Sequence, residues 1–74
     1  MRIEIYGQPS CLKCANVRNK LEEKEISHEY IDDIERVRQT AKRNKTRQLP
    51  IILIDGIHTP LLKFQGLLRD GKLK

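Results

Sequence analysis

An α/β fold is what this sequence predicts: three layers of helix, sheet and helix around a four-stranded mixed sheet, in the order β-α-β-α-β-β-α. Three stretches carry that expectation. Met1 to Tyr6 alternates charged and apolar residues in strand fashion, and after Gly7 to Ser10 a helical spacing runs from Leu12 to Lys24. Ile51-Ile52-Leu53-Ile54 is a continuous, β-branched apolar run, expected of a strand covered on both faces near the middle of a sheet. Asp55-Gly56, directly after it, is a two-residue hairpin signal.

The remaining elements follow in chain order. Ile3 and Ile5 share one face of the first strand, and the charged residues take the other. Gln8-Pro9-Ser10 is turn chemistry, with Ser10 the expected N-cap of the first helix. In that helix Cys14, Val17 and Leu21 fall at i, i+3 and i+7 with Ala15 beside them, so one face is buried. Ser27-His28-Glu29-Tyr30-Ile31 is the expected second strand, parallel to the first because a helix separates the two. Asp32-Asp33 caps a second helix running to about Asn44, whose apolar line of Ile34, Val37 and Ala41 is thin. Ile57-His58 begins the strand returning from the hairpin. Thr59-Pro60 supplies an N-cap and a first-turn proline for a last helix through Leu61, Leu62, Phe64, Leu67 and Leu68 to Gly71, which Gly66 weakens slightly. There is no internal repeat, linker or low-complexity segment.

At 74 residues the chain is a single domain, 1–74, with a core near the lower limit of what stands alone. Its two cysteines allow one disulfide, and with no apolar leader a reducing, cytoplasmic setting is expected. The longest apolar run, Ile51 to Ile54, falls far short of the ~20 residues of a membrane span, so a soluble protein without a membrane partner is expected. The net charge of +5 comes mainly from Lys42-Arg43-Asn44-Lys45-Thr46-Arg47 and from Lys72 and Lys74. Such a run suits a solvated helix end, and it also suits steering toward an acidic partner. With two tyrosines, one phenylalanine and no recognition motif, nucleic acid is not an expected partner beyond a weak, salt-sensitive attachment.

The chemistry is concentrated in Cys11-Leu12-Lys13-Cys14, where a strand ends and a helix begins. The first turn of a helix exposes unpaired N–H groups and the positive end of the macrodipole, so a thiolate is stabilised there relative to a thiol. Lys13 adds charge in the same sense. Cys11 is thus the expected attacking cysteine, and Cys14, one turn on and facing inward, the expected resolving one. A competing reading makes the chain a small basic binding module and joins the C-x-x-C pair to His28 and His58 as a zinc half-site. The two histidines are too far apart for finger spacing and are expected on the surface of strands. A purely structural disulfide is the third reading.

A C-x-x-C pair at the first strand-to-helix turn of a βαβ unit has the form of a thioredoxin-like redox motif. With Ile3-Glu4-Ile5-Tyr6-Gly7 before it, Leu49-Pro50 opening the third strand, Ile54-Asp55-Gly56 at the hairpin and Leu67 to Leu73 at the end, the chain resembles the glutaredoxin branch of the thioredoxin superfamily. It is also similar to the NrdH redoxins, which thioredoxin reductase reduces. Leu12-Lys13 stands where glutathione-using members commonly have Pro-Tyr, Thr59-Pro60-Leu61 stands where they have Gly-Gly, and the aromatic, arginine-containing motif near the NrdH C-terminus is missing.

The resemblance implies a thioredoxin-like fold and a thiol-disulfide oxidoreductase with no bound metal or organic cofactor. It implies glutathione or thioredoxin reductase as electron donor, and a disulfide-containing protein substrate, with ribonucleotide reductase as one candidate. A monomer is expected. By the same resemblance Pro50 is cis and faces the cysteine pair, and Leu49 offers its backbone to substrate. Gln8, Lys13, Leu49, Thr59 and Pro60 are then the expected lining of the groove beside Cys11, with Arg47 or Gln48 placed to meet a glutathione carboxylate.

Overall fold

The computed structural model describes residues 1–73; Lys74, counted above with the basic tail, lies outside the described residues. Strand β1 (Ile3–Tyr6) is interior, paired in parallel with β2 (Glu29–Ile31) and antiparallel with β3 (Ile51–Ile54). Strand β4 (Ile57–Thr59) pairs antiparallel with β3, giving the order β2-β1-β3-β4. The sheet is mixed because helix α1 (Leu12–Glu23) carries the chain over from β1 to β2, whereas Asp55-Gly56 turns it straight back between β3 and β4. Both turn residues take positive φ, 52° and 81°, which a tight two-residue hairpin requires. Asp55 also ties the turn to the chain start: its Oδ1 accepts from the Arg2 N–H and its own N–H donates to the Arg2 carbonyl, each at 2.8 Å.

Two cores flank the sheet. On one face Ile3, Ile5 and Ile52 pack with Val17 and Leu21 of α1 and with Phe64 and Leu68 of α3 (Leu61–Arg69). On the other, Tyr6, Ile51 and Leu53 pack with Ile31 and with Val37 of α2 (Ile34–Arg43). Period-two alternation along β1 sends its isoleucines to the first core and Tyr6 to the second, so both faces are covered. The three-layer α/β/α sandwich predicted above is the architecture. None of the described helices is long and apolar enough to cross a membrane.

Several local expectations are corrected. β2 starts at Glu29, where pairing with Glu4 begins; His28 precedes it, its Nδ1 2.9 Å from the Ile26 carbonyl oxygen. In α2 the buried face is centred on Val37 and Thr40, which leaves Ile34 at its margin and 56% exposed. Asp33 caps that helix as expected, accepting from the Glu35 N–H at 3.0 Å. At α3 the start falls one residue later than the sequence suggests. Thr59 is held in the β4 ladder opposite Ile52, its hydroxyl donating to the Ile57 carbonyl, so Pro60 occupies the cap position and contributes no side-chain cap. Leu62 of α3 points to solvent, 83% exposed, while Phe64 is fully enclosed.

All three helices end on a residue at positive φ: Glu25 at 56°, Lys45 at 52° and Gly71 at 69°. The closing bonds are alike, Ile26 N–H to Leu21 C=O, Thr46 N–H to Ala41 C=O and Lys72 N–H to Leu67 C=O, at 2.9 to 3.0 Å. Only the third helix uses the residue type without a Cβ penalty there. Glu25→Gly should therefore raise the unfolding free energy by up to about 1 kcal/mol. Equilibrium urea unfolding measures this, and a loss of stability would mean that the Glu25 side chain contributes more than its backbone strain removes.

Candidate active site

The backbone that presents the cysteine pair is fixed from the sheet outward. Beyond β1 the Gly7 N–H donates to the Ile31 carbonyl at 3.0 Å, so the parallel ladder continues one residue past the strand. The chain then turns through Gln8 to Ser10, closed by the Cys11 N–H donating to the Gln8 carbonyl at 3.1 Å. Cys11, not Ser10, is the N-cap residue of α1. Its backbone is extended, and its Sγ accepts from the Cys14 N–H at 3.2 Å. Ser10 is exposed and one position too early for that role.

The two sulfurs differ in surroundings. Cys11 is partly exposed at the end of the helix dipole, with no acidic residue in the first turn and Lys13 beside it. Cys14 lies on the inner side of the same turn and has no exposed surface. Burial first, and then its hydrogen bond with the Cys11 thiol, push the Cys14 thiol up to about 11. At neutral pH Cys14 therefore keeps its proton. Both cysteines are free thiols.

Gly7 makes this burial possible. A Cβ at Gly7 would lie 2.7 Å from both Cβ and Sγ of Cys14 and 2.8 Å from the Tyr30 hydroxyl oxygen, distances that real side chains do not tolerate. Tyr30, on β2, thus reaches the same corner, where burial and the neighbouring Cys14 push its hydroxyl above its ordinary range. The Arg18 guanidinium sits over its ring, 5.1 Å from the centroid.

Past Lys13, which stands between the two cysteines in sequence, runs a groove of about 470 Å³ lined by Lys13, Gln48, Leu49, Pro50 and Pro60 of the expected site residues, together with Thr46, His58 and Leu61. The Leu49–Pro50 peptide bond is cis. Gln48 is positioned by its N–H donating to the Thr46 hydroxyl at 3.2 Å. Three expected residues stand elsewhere. Thr59 is buried, with its hydroxyl engaged within its own strand. Gln8 is exposed on the loop before Cys11, contributing its carbonyl to the turn. Arg47 lines an adjoining hollow on the α2 side.

Sequence reasoning missed Gly7, Tyr30, Thr46, His58 and Leu61. An isolated glycine straight after a strand is a signal of close backbone approach and could have marked Gly7. Tyr30 carries no local signal, since only the β1–β2 register brings it to the cysteines. Among the described residues no three His, Cys, Asp or Glu side chains are grouped to hold a metal ion.

Comparison with known proteins matches residues 3–59 to the Glutaredoxin family model. No curated protein sequence matches the chain. Among solved structures, a threonine-to-alanine variant of the thioredoxin-like protein BC3987 is 23% identical over 97% of this chain and 96% of its own, with a TM-score of 0.77. The unsubstituted BC3987 is 24% identical over 90% and 96%, with a TM-score of 0.72. The glutaredoxin-like NrdH-redoxin of Escherichia coli, described as having a thioredoxin-like activity profile, is 27% identical over 80% of each chain at a TM-score of 0.66. A C-x-x-C pair capping the first helix of this fold, with the family model spanning most of the sequence, places the chain in the glutaredoxin family.

Proposed function

We propose that the protein is a dithiol redoxin that reduces disulfides in other proteins through Cys11 and Cys14. The observation that carries this reading is the asymmetry of the pair: an accessible sulfur at a helix N-terminus and, one turn on, a fully buried thiol held protonated. Cys11 thiolate attacks one sulfur of a substrate disulfide, the substrate S–S bond breaks, and the departing thiolate takes up a proton. Cys14 then loses its proton and attacks the Cys11 sulfur of the mixed disulfide. The second substrate thiolate leaves, two electrons have passed to the substrate, and a Cys11–Cys14 disulfide remains. Glutathione or a thioredoxin reductase returns the two electrons, and a ribonucleotide reductase is the client suggested by the resemblance to NrdH redoxins. The groove past Lys13, Leu49 and Pro50 is the proposed seat of the substrate backbone.

Mass spectrometry of acid-quenched protein across a series of glutathione redox buffers tests the core of this reading. Wild type should interconvert between dithiol and Cys11–Cys14 disulfide, and Cys14→Ser should accumulate one glutathione on Cys11. A poise near −200 to −230 mV would assign glutathione as donor, and one near −270 mV a thioredoxin reductase. Absence of any reversible disulfide would overturn the proposal.

The resolving step should depend steeply on pH. Burial, the leading cause of the raised Cys14 thiol, persists in the mixed disulfide, so the thiolate fraction and the resolution rate should climb about tenfold per pH unit between roughly pH 7 and 9. Stopped-flow release of a fluorescent thiol from Cys11 reads that rate, and a flat profile would place the limiting event elsewhere.

Gly7→Ala should separate the two steps. Its Cβ strikes Cys14 atoms anchored in α1, which cannot swing aside, so a stability loss of about 1–3 kcal/mol is expected. Resolution should slow by more than about tenfold while the first attack, at a sulfur outside the clash, changes less. Equal slowing of both steps would show that Gly7 supports the loop as a whole and not the seating of Cys14.

A further inference from the structure

A second hollow, of about 690 Å³ and larger than the groove past Lys13, lies between the outer side of α2 and the segment leading to Pro50. Its walls carry four cations, Arg38, Lys42, Lys45 and Arg47, against a single carboxylate, Glu35. Resting on the oxidoreductase reading above, we infer that this hollow receives an acidic peptide segment of the protein substrate, lying a short distance along the chain from the disulfide that Cys11 attacks.

Continuity with the cysteine groove is the first support. Thr46 lines both the hollow and the groove that holds Lys13, Leu49 and Pro50, so the two adjoin at that residue. A substrate chain seated beside Pro50 would run into the cationic end.

The second support is that the fold does not account for all of these charges. The helix dipole explains cations at the end of α2, where Lys42 and Lys45 stand, but not Arg38 near the middle or Arg47 further along the chain. Among the described residues the only ion pair in the hollow joins Arg38 to Glu35 at 4.0 Å, with both side chains largely exposed. Lys42, Lys45 and Arg47 take part in none of the salt bridges of the described residues.

The class of ligand follows from what the site lacks. A nucleic-acid strand would call for aromatic faces on which bases stack. Phe64 and Tyr6 are buried, and Tyr30 is half-buried with Arg18 over its ring. The dispersed cations and the size of the hollow suit a run of carboxylates along a peptide better than one compact anion.

The test uses two peptides with the same disulfide-bonded core, one carrying a tract of Asp and Glu a few residues from the cystine and the other the isosteric Asn and Gln. The readout is the ratio of their second-order reduction rates, for wild type and for an Arg38→Glu, Lys45→Glu double variant. Both residues are exposed, and the two substitutions leave Lys42 and Arg43 of the last helical turn in place. For wild type the acidic peptide should react at least about fivefold faster at low ionic strength, with the ratio approaching unity at about 0.5 M salt. In the variant the ratio should fall to one or below. Equal wild-type rates, or a preference that survives the charge reversal, would overturn the inference while leaving the oxidoreductase reading standing. Reduction of neither peptide would defeat that reading and this one with it. If the two peptides react alike and a short DNA duplex binds stoichiometrically in a manner that the double variant loses, the hollow is a nucleic-acid site instead.

Discussion

The contact on which the site depends is the flush packing of a bare backbone against a sulfur. At Gly7 the chain leaves the sheet so close to Cys14 that there is no room for a methyl group between them. This approach lets the first turn of α1 settle onto the end of β1, and it is what removes Cys14 from solvent. The same residue continues the ladder to Ile31, so the edge strand carrying Tyr30 is locked to the corner as well. The buried sulfur, the loop before Cys11 and the sheet edge are therefore set by one steric condition, and the electrostatic difference between the two cysteines follows from it.

The two cores divide the work of the fold unequally. On the α1/α3 face, two helices supply Val17, Leu21, Phe64 and Leu68, enough apolar surface to seat both firmly. The other face relies on α2, which buries only Val37 and Thr40 fully. A helix that commits so little of its circumference to packing is free to carry charge on the remainder, and α2 does so at Glu35, Arg36, Arg38, Lys42 and Arg43. The better-packed face thus carries the cysteines on α1, and the lightly packed helix carries a cationic wall.

Much of this was legible in the sequence because the decisive signals are local. Asp55-Gly56 specifies its own turn, Ile51 to Ile54 is apolar on both sides because both sides are covered, and the spacing of Cys14, Val17 and Leu21 is that of one helix face. Errors arose where a residue had two uses and tertiary pairing decided between them. Thr59 is a good N-cap by type, but the β4 ladder claims it first. Ser10 is a good cap as well, but the turn closed between Gln8 and Cys11 starts the helix later and gives the cap to a sulfur. Ile34 fits the apolar line of α2 by spacing, yet the helix is rotated so that a threonine is buried in preference. The placement of Tyr30 and His58 at the site depends on strand register and hairpin return, which single-residue patterns do not encode.

The order of the proposed exchange follows from burial before any question of acidity. A sulfur with no exposed surface cannot meet an incoming disulfide, so the first attack belongs to Cys11 whatever the relative acidity of the two thiols. Once Cys11 is linked to substrate, the situation reverses. Cys14 is then the nucleophile already held against the linked sulfur, and its attack is intramolecular, with the orientation fixed by the helix turn that both residues share. The raised pKa and enclosure, which disfavour Cys14 as a first nucleophile, do not disfavour it as a second one to the same degree, because its attack on the linked sulfur is intramolecular and needs no access from solvent. The three-residue spacing matters for this reason: it places one sulfur at the rim of the helix and the other beneath it, so that a single chain position decides which of them meets the substrate.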